Sequence, residues 1–260
     1  MNRRELLRAI AIAWAVAPCR HAFAQFPKSD PGSPRVVPGS PRPPGEPTSR
    51  RPSRLRGCRM SAAEAGDFRT DIKIRPTTGN TFVDNGFSNA YRMLNTSFRV
   101  QPGFGFFDDS ASPNALATTE NLLGGNGGTV LFGLRLVTEE IQADPPTWGS
   151  ALSLIMAHEW THIAQYSARQ KGTTRQLELH ADFMAGWWLG MFNLQTAGQG
   201  INISSAARSV FNKGDFDYNN PDHHGEPQER ILATLGGYEL PLQGVRDVVQ
   251  AFSVAQQKIK

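Results

Sequence analysis

Cysteine is nearly missing from this chain. Cys19 and Cys58 are the two among 260 residues, which excludes a small domain stapled by several disulfides. Long apolar runs are missing as well. The stretch from Ala9 to Ala17 is unbroken but covers only nine residues, whereas a transmembrane helix needs about 20. The third shortage is of basic charge in the body. The formal net charge is +4, yet residues 1–59 carry twelve Lys/Arg against three Asp/Glu, and residues 60–260 carry fifteen against twenty. A mildly acidic body lacks the basic patch that phosphate recognition needs, so nucleic acid is not an expected partner. What is present, 39% hydrophobic and 19% charged residues, suits a soluble globular body with one sizeable core.

The N-terminus reads as an export signal over residues 1–24. Arg3 and Arg4 precede Leu6, Leu7 and Arg8, the apolar run follows, and Ala22-Phe23-Ala24 offers a small-x-small cleavage site before Gln25. The segment from Asn2 to Arg8 also resembles a twin-arginine signal. An amphipathic N-terminal helix is the competing reading. Export implies a periplasmic or secreted protein, with no transmembrane helix in the mature chain. Cys19 would leave with the signal, so Cys58 would remain alone and no intrachain disulfide is expected. Residues 25–56 hold nine prolines from Pro27 to Pro52, among Ser, Gly and Arg. That composition cannot bury enough apolar surface to offset its ordering entropy, and it reads as a disordered linker. The folded domain is expected over residues 57–260.

Within it, Phe87, Tyr91, Leu94 and Phe98 form a stripe that predicts a helix from Asp84 to Val100. Gly124 to Gly128 predicts a turn. Val130, Phe132, Leu134 and Leu136 alternate, which predicts one strand from Thr129 to Val137. Helices are expected from about Ser150 to Arg169 and from Arg175 to Leu194. Further helical stretches follow Gly198, separated by a polar loop from Lys213 to Gln228. Helices dominate a small sheet, which makes the fold class α+β.

His158-Glu159-Trp160-Thr161-His162 has the pattern H-E-x-x-H. On a helix, residues i and i+4 share a face one turn apart, so two imidazoles can converge on one Zn²⁺. Glu159 stands beside them, placed as general base for a water that the ion acidifies. Leu152, Met156, Ile163 and Tyr166 surround Glu159 with an apolar stripe, and an ionised carboxylate there is costly unless a cation satisfies it. The next helix, Leu177 to Gly190, is apolar nearly all round, yet it carries Glu178 and Asp182 at i and i+4, where like charges repel. A cation opposite them resolves the conflict: one carboxylate ligates, and the other holds the second N–H of a ligating histidine. The competing reading pairs both with arginines. His180 is a rival ligand, but residues two apart on a helix point about 200° from each other, and choosing it leaves both carboxylates without partners.

At these residues the chain resembles the gluzincin branch of the zinc metallopeptidases. The resemblance implies Glu178 as the third metal ligand beside His158 and His162, with Asp182 holding the second N–H of a ligating histidine. Glu178-Leu179-His180-Ala181-Asp182-Phe183-Met184-Ala185-Gly186 looks like the E-L-x-A-D-x-x-A-G of bacterial neutral zinc metallopeptidases. Pro113-Asn114-Ala115-Leu116-Ala117 and the segment from His224 to Arg230 are weaker echoes of membrane-associated relatives. The implied fold is a zincin-like domain with an edge strand beside the active-site helix, a place expected for Thr129 to Val137. Tyr218, His223, His224 and Arg230 are possible oxyanion donors. The resemblance favours His224 and Arg230, while capping a helix or tying down the loop is the plainer role for them. An EF-hand-like spacing from Asp215 to Glu226 has Asn220 where the loop requires glycine, and it reads as a polar turn.

The expected function is hydrolysis of protein or peptide substrates in the cell envelope by zinc-activated water. An envelope protein that binds metal and holds clients without cutting them is the alternative. If the signal is of the twin-arginine type, replacing Arg3 and Arg4 together with Lys abolishes export. Cell fractionation measures this, and full export of the double variant would assign the chain to the ordinary unfolded-chain route.

Overall fold

The structure, a computed structural model, describes residues 57–59, 72–110, 113–198, 200–211 and 225–259. The expected signal and linker, the EF-hand-like turn up to residue 224, and Tyr218, His223 and His224 lie outside the described residues.

A small mixed sheet supports one side of a mostly helical body. Strands β2 (Gly103–Phe107), β3 (Ala115–Thr118) and β4 (Thr129–Gly133) form its body, and the three-residue β1 (Gly57–Arg59) adds to the free side of β3. The order is β1-β3-β4-β2, with β2 parallel to β4 and the other pairs antiparallel. Two sequence expectations are corrected here. The strand starting at Thr129 ends at Gly133, and α2 (Leu134–Ala143) follows at once. The cause is Asp109, whose buried carboxylate accepts the N–H groups of Arg135 at 2.6 Å and Leu136 at 3.0 Å. Two of the donors that a helix start leaves open are thereby satisfied from a distant loop. Gly133 leaves room for that carboxylate, since a Cβ there would lie 1.8 Å from Asp109 Oδ2. Alternation of Val130, Phe132, Leu134 and Leu136 could not reveal a cap that comes from 27 residues away.

Nor is β4 an edge. It is buried throughout and hydrogen-bonded on both sides. The strand that lies against the H-E-x-x-H helix with an outward side is β3, whose Ala117 carbonyl accepts the Tyr166 hydroxyl at 3.3 Å. That outward side is paired with β1.

Helix α1 (Thr81–Phe98) starts three residues before the expected point, because the Asn80 side chain accepts the N–H groups of Phe82 and Val83. Its predicted stripe is buried at Phe87, Leu94 and Phe98 and half-buried at Tyr91. Helices α3 (Trp148–Ser167) and α4 (Thr174–Gln195) match the two expected helices to within two residues. Thr173 and Gln176 start α4 with a reciprocal capping box. Beyond lie α5 (Ile203–Phe211), α6 (Pro227–Glu239), a short 3-10 turn (Leu240–Gln243) and α7 (Val248–Lys258). Among the described residues no helix is long and apolar enough to cross a membrane.

Helix α3 is buried almost all round because it contacts β3, β4, α1, α2, α4 and α5. Trp160 and Trp187 are core residues, and each indole N–H has a partner, Asn95 Oδ1 and the Val245 carbonyl, both at 2.9 Å. Helices α4 and α6 meet through glycines. A Cβ on Gly186 would lie 2.0 Å from the Thr234 carbonyl oxygen, and one on Gly237 would lie 1.8 Å from that of Phe183. This backbone-level approach brings Arg230 of α6 over Asp182 of α4. Gly237→Ala, with no flexible side chain to yield, is expected to destabilise the fold by about 1–3 kcal/mol or more, measured by denaturant unfolding. An unchanged midpoint would mean that the two helices can separate without loss.

Candidate metal centre

The one group of His, Cys, Asp or Glu side chains that could hold a metal ion among the described residues is His158, His162 and Glu178, all buried. Helix α3 supplies the two imidazoles and α4 the carboxylate. The histidine Nε2 atoms lie 2.9 Å apart. Glu178 approaches both, with Oε2 at 3.3 Å from His158 and Oε1 at 3.3 Å from His162. One ligand atom from each residue falls within 4.8 Å of the others.

Hydrogen bonds assign the ring protons. His158 Nδ1 lies 2.8 Å from Asp182 Oδ1, and His162 Nδ1 lies 2.8 Å from Gln165 Oε1. Both partners are acceptors, so each neutral ring carries its proton on Nδ1 and a lone pair on Nε2. Two lone pairs and a carboxylate then face one another in a buried pocket. Such an arrangement is repulsive unless a cation, or a proton, lies between them, and the donor set fits a divalent ion that takes N and O ligands. Glu159 adds to the fit. It is fully buried, and neither carboxylate oxygen has a hydrogen-bond partner among the described residues.

The electrostatics follow from burial and neighbours. Burial pushes Glu159 up to about 7, against the opposing pull of His158 and His162. For His158, burial alone would lower the pKa. Asp182 and then Glu178 outweigh it and raise the value to about 10. Burial would likewise raise Asp182, but Arg230 and His158 bring it below the ordinary carboxylate range. His180 is lowered to about 4, chiefly by burial.

Each residue singled out in the sequence has a definite place. Asp182 stands behind His158, and it also pairs with an arginine: Arg230 Nε lies 2.7 Å from Oδ2 and Nη2 lies 2.9 Å from Oδ1. Both readings of this carboxylate therefore hold together. Arg230 is fully buried, with its guanidinium on Asp182 and 3.9 Å from Glu178 Oε2. That placement lets Arg230 hold Asp182 in position. Arg175 pairs with Glu229 across α4 and α6. His180 is turned toward Gln165 and the Phe252 carbonyl, away from the ligand group. His224 is outside the described residues. Sequence reasoning passed over Gln165. Its signal was its position, one turn after His162 on the same helix, where i and i+3 side chains meet.

Comparison with family models, with curated proteins and with solved structures gives no match to this chain.

The raised His158 pKa sets a pH dependence. Below about 10 the metal-free site holds a proton on this ring, and an incoming ion must displace it. Zinc affinity is thus expected to rise with pH, about tenfold per unit between pH 7 and 8 for one displaced proton. Competition with a chelator of known pH behaviour measures this. A flat affinity over that interval would remove the proton from His158.

Proposed function

We propose that this chain is an exported, zinc-dependent endopeptidase of the gluzincin type with a zincin-like domain, acting on protein or peptide substrates in the cell envelope. The observation that carries the reading is the buried His158, His162 and Glu178 group with the unbonded carboxylate of Glu159 beside it. The resemblance of H-E-x-x-H followed by Glu178 and Asp182 to that family supports it, and residues 1–24 support export.

In this reading His158, His162 and Glu178 hold the ion. Bound zinc supplies Lewis acidity, which polarises a peptide carbonyl and acidifies water. Glu159 takes a proton from the attacking water and returns it to the leaving amine. Asp182 keeps the His158 proton on Nδ1, and Arg230 keeps Asp182 ionised and in place.

Glu159→Gln is expected to lower hydrolysis of an unfolded protein by at least about 100-fold while zinc content stays near one per chain. Glu178→Ala is expected to weaken zinc binding itself. Purified, zinc-loaded protein and metal analysis provide the readouts. Zinc binding without any cleavage by the wild-type chain would favour the client-holding alternative, and loss of zinc from Glu159→Gln would make this residue a ligand.

A further inference from the structure

Resting on the reading of His158, His162 and Glu178 as metal ligands, we propose that Gln165 and His180 form a positioning relay that holds His162 ready for the metal and ties the centre to the C-terminal helix.

The relay follows from donor and acceptor accounting around one buried amide. Gln165 is 2% exposed, so its groups must find partners inside the protein. Nε2 lies 2.9 Å from the Leu177 carbonyl, which can only accept. That contact fixes the amide orientation and leaves Oε1 facing His162 Nδ1 at 2.8 Å. The His162 proton therefore sits on Nδ1, and Nε2 presents a lone pair to the site. The second N–H of the amide faces His180 Nδ1 at 3.2 Å. His180 must accept there, so its own proton sits on Nε2, facing the Phe252 carbonyl at 3.4 Å. Reversing the amide would set oxygen against the Leu177 carbonyl and leave an N–H against an N–H at His162. One assignment satisfies the whole chain.

Helix α7 completes the relay. The Phe252 ring meets His180 edge-on, with centroids 4.3 Å apart, and Ala251 and Ala255 are buried beside it. The imidazole is thus clamped between α3 and α7. In this arrangement His158 and His162 are held by different means. Asp182 and Arg230 hold the first by charge, while Gln165, Leu177, His180 and Phe252 hold the second through a neutral amide. A carboxylate at both rings would add another negative charge to a pocket that already contains Glu159, Glu178 and Asp182.

The test is a double-mutant cycle in zinc affinity on the full chain, with unfolding followed in parallel. Gln165→Ala is expected to weaken zinc binding about 10–100-fold. Gln165→Glu retains the acceptor for His162 but sets an oxygen against the Leu177 carbonyl and takes the donor from His180, so it should restore only part of that loss. His180→Ala should weaken binding less, and adding it to Gln165→Ala should cost little more, because its effect passes through the amide. In cobalt-loaded protein, the visible bands should shift in Gln165→Ala and His180→Ala and return in part in Gln165→Glu. Gln165→Met, close in volume, serves the same cycle if the alanine variant does not fold. Additive losses, or lowered melting with unchanged zinc affinity, would make both residues structural and overturn the relay while leaving the metal reading intact. A wild-type chain that binds no zinc would overturn the metal reading and the relay with it.

Discussion

Between α3 and α4, and roofed by α6, the chain buries two imidazoles, three carboxylates and a guanidinium that water would solvate far better. Much of the rest of the fold can be understood as the arrangement that makes this burial tolerable. Charges are chained rather than left isolated: Arg230 on Asp182, Asp182 on His158, His158 and His162 facing Glu178. An unpaired buried charge would cost several kcal/mol, so each member depends on its neighbour. Glu159 is the exception among the described residues, with no hydrogen bond to either oxygen. In a proposed peptidase that is the carboxylate whose proton has to move.

Bringing these groups together requires close backbone contact. Arg230 reaches Asp182 because α6 lies directly on α4, carbonyl against glycine, at Gly186, Gly190 and Gly237. Side chains at those positions would push the helices apart and leave Asp182 short of its cation. The outer pair of Arg175 and Glu229 draws the same two helices together where they are partly exposed. On the other side of α3, the sheet and the Phe87, Phe104, Phe106 and Phe132 rings form an aromatic wall. That wall fixes the helix carrying both histidines. The same sheet presents β3 beside Tyr166 and covers its free side with β1.

The helices were legible because their signals are local. Stripes of period 3.6, such as Phe87, Tyr91, Leu94 and Phe98, lie within the elements they define. The strand from Thr129 was misjudged in length because Leu134 and Leu136 continue its alternation, while the cap that starts α2 comes from Asp109. Its place in the sheet was misjudged too, since strand order depends on pairings between distant segments. Gln165 escaped notice because nothing about a glutamine in a helix marks it as buried.

What the sequence determined by itself was the set of residue types and their spacing along single helices. His158 and His162 share a face, Glu159 stands beside them, and Glu178 and Asp182 share a face of the next helix, whatever the surrounding fold. Helical periodicity is a property of neighbouring residues, so it can be read before the chain is folded. Only the tertiary structure decided which faces meet. His158 and Asp182 are 24 residues apart, Arg230 and Asp182 are 48 apart, and His180 and Phe252 are 72 apart. No periodic pattern encodes those pairings. They arise from helix packing, in which the glycine contacts of α4 and α6 and the docking of α7 select one arrangement that satisfies the buried polar groups.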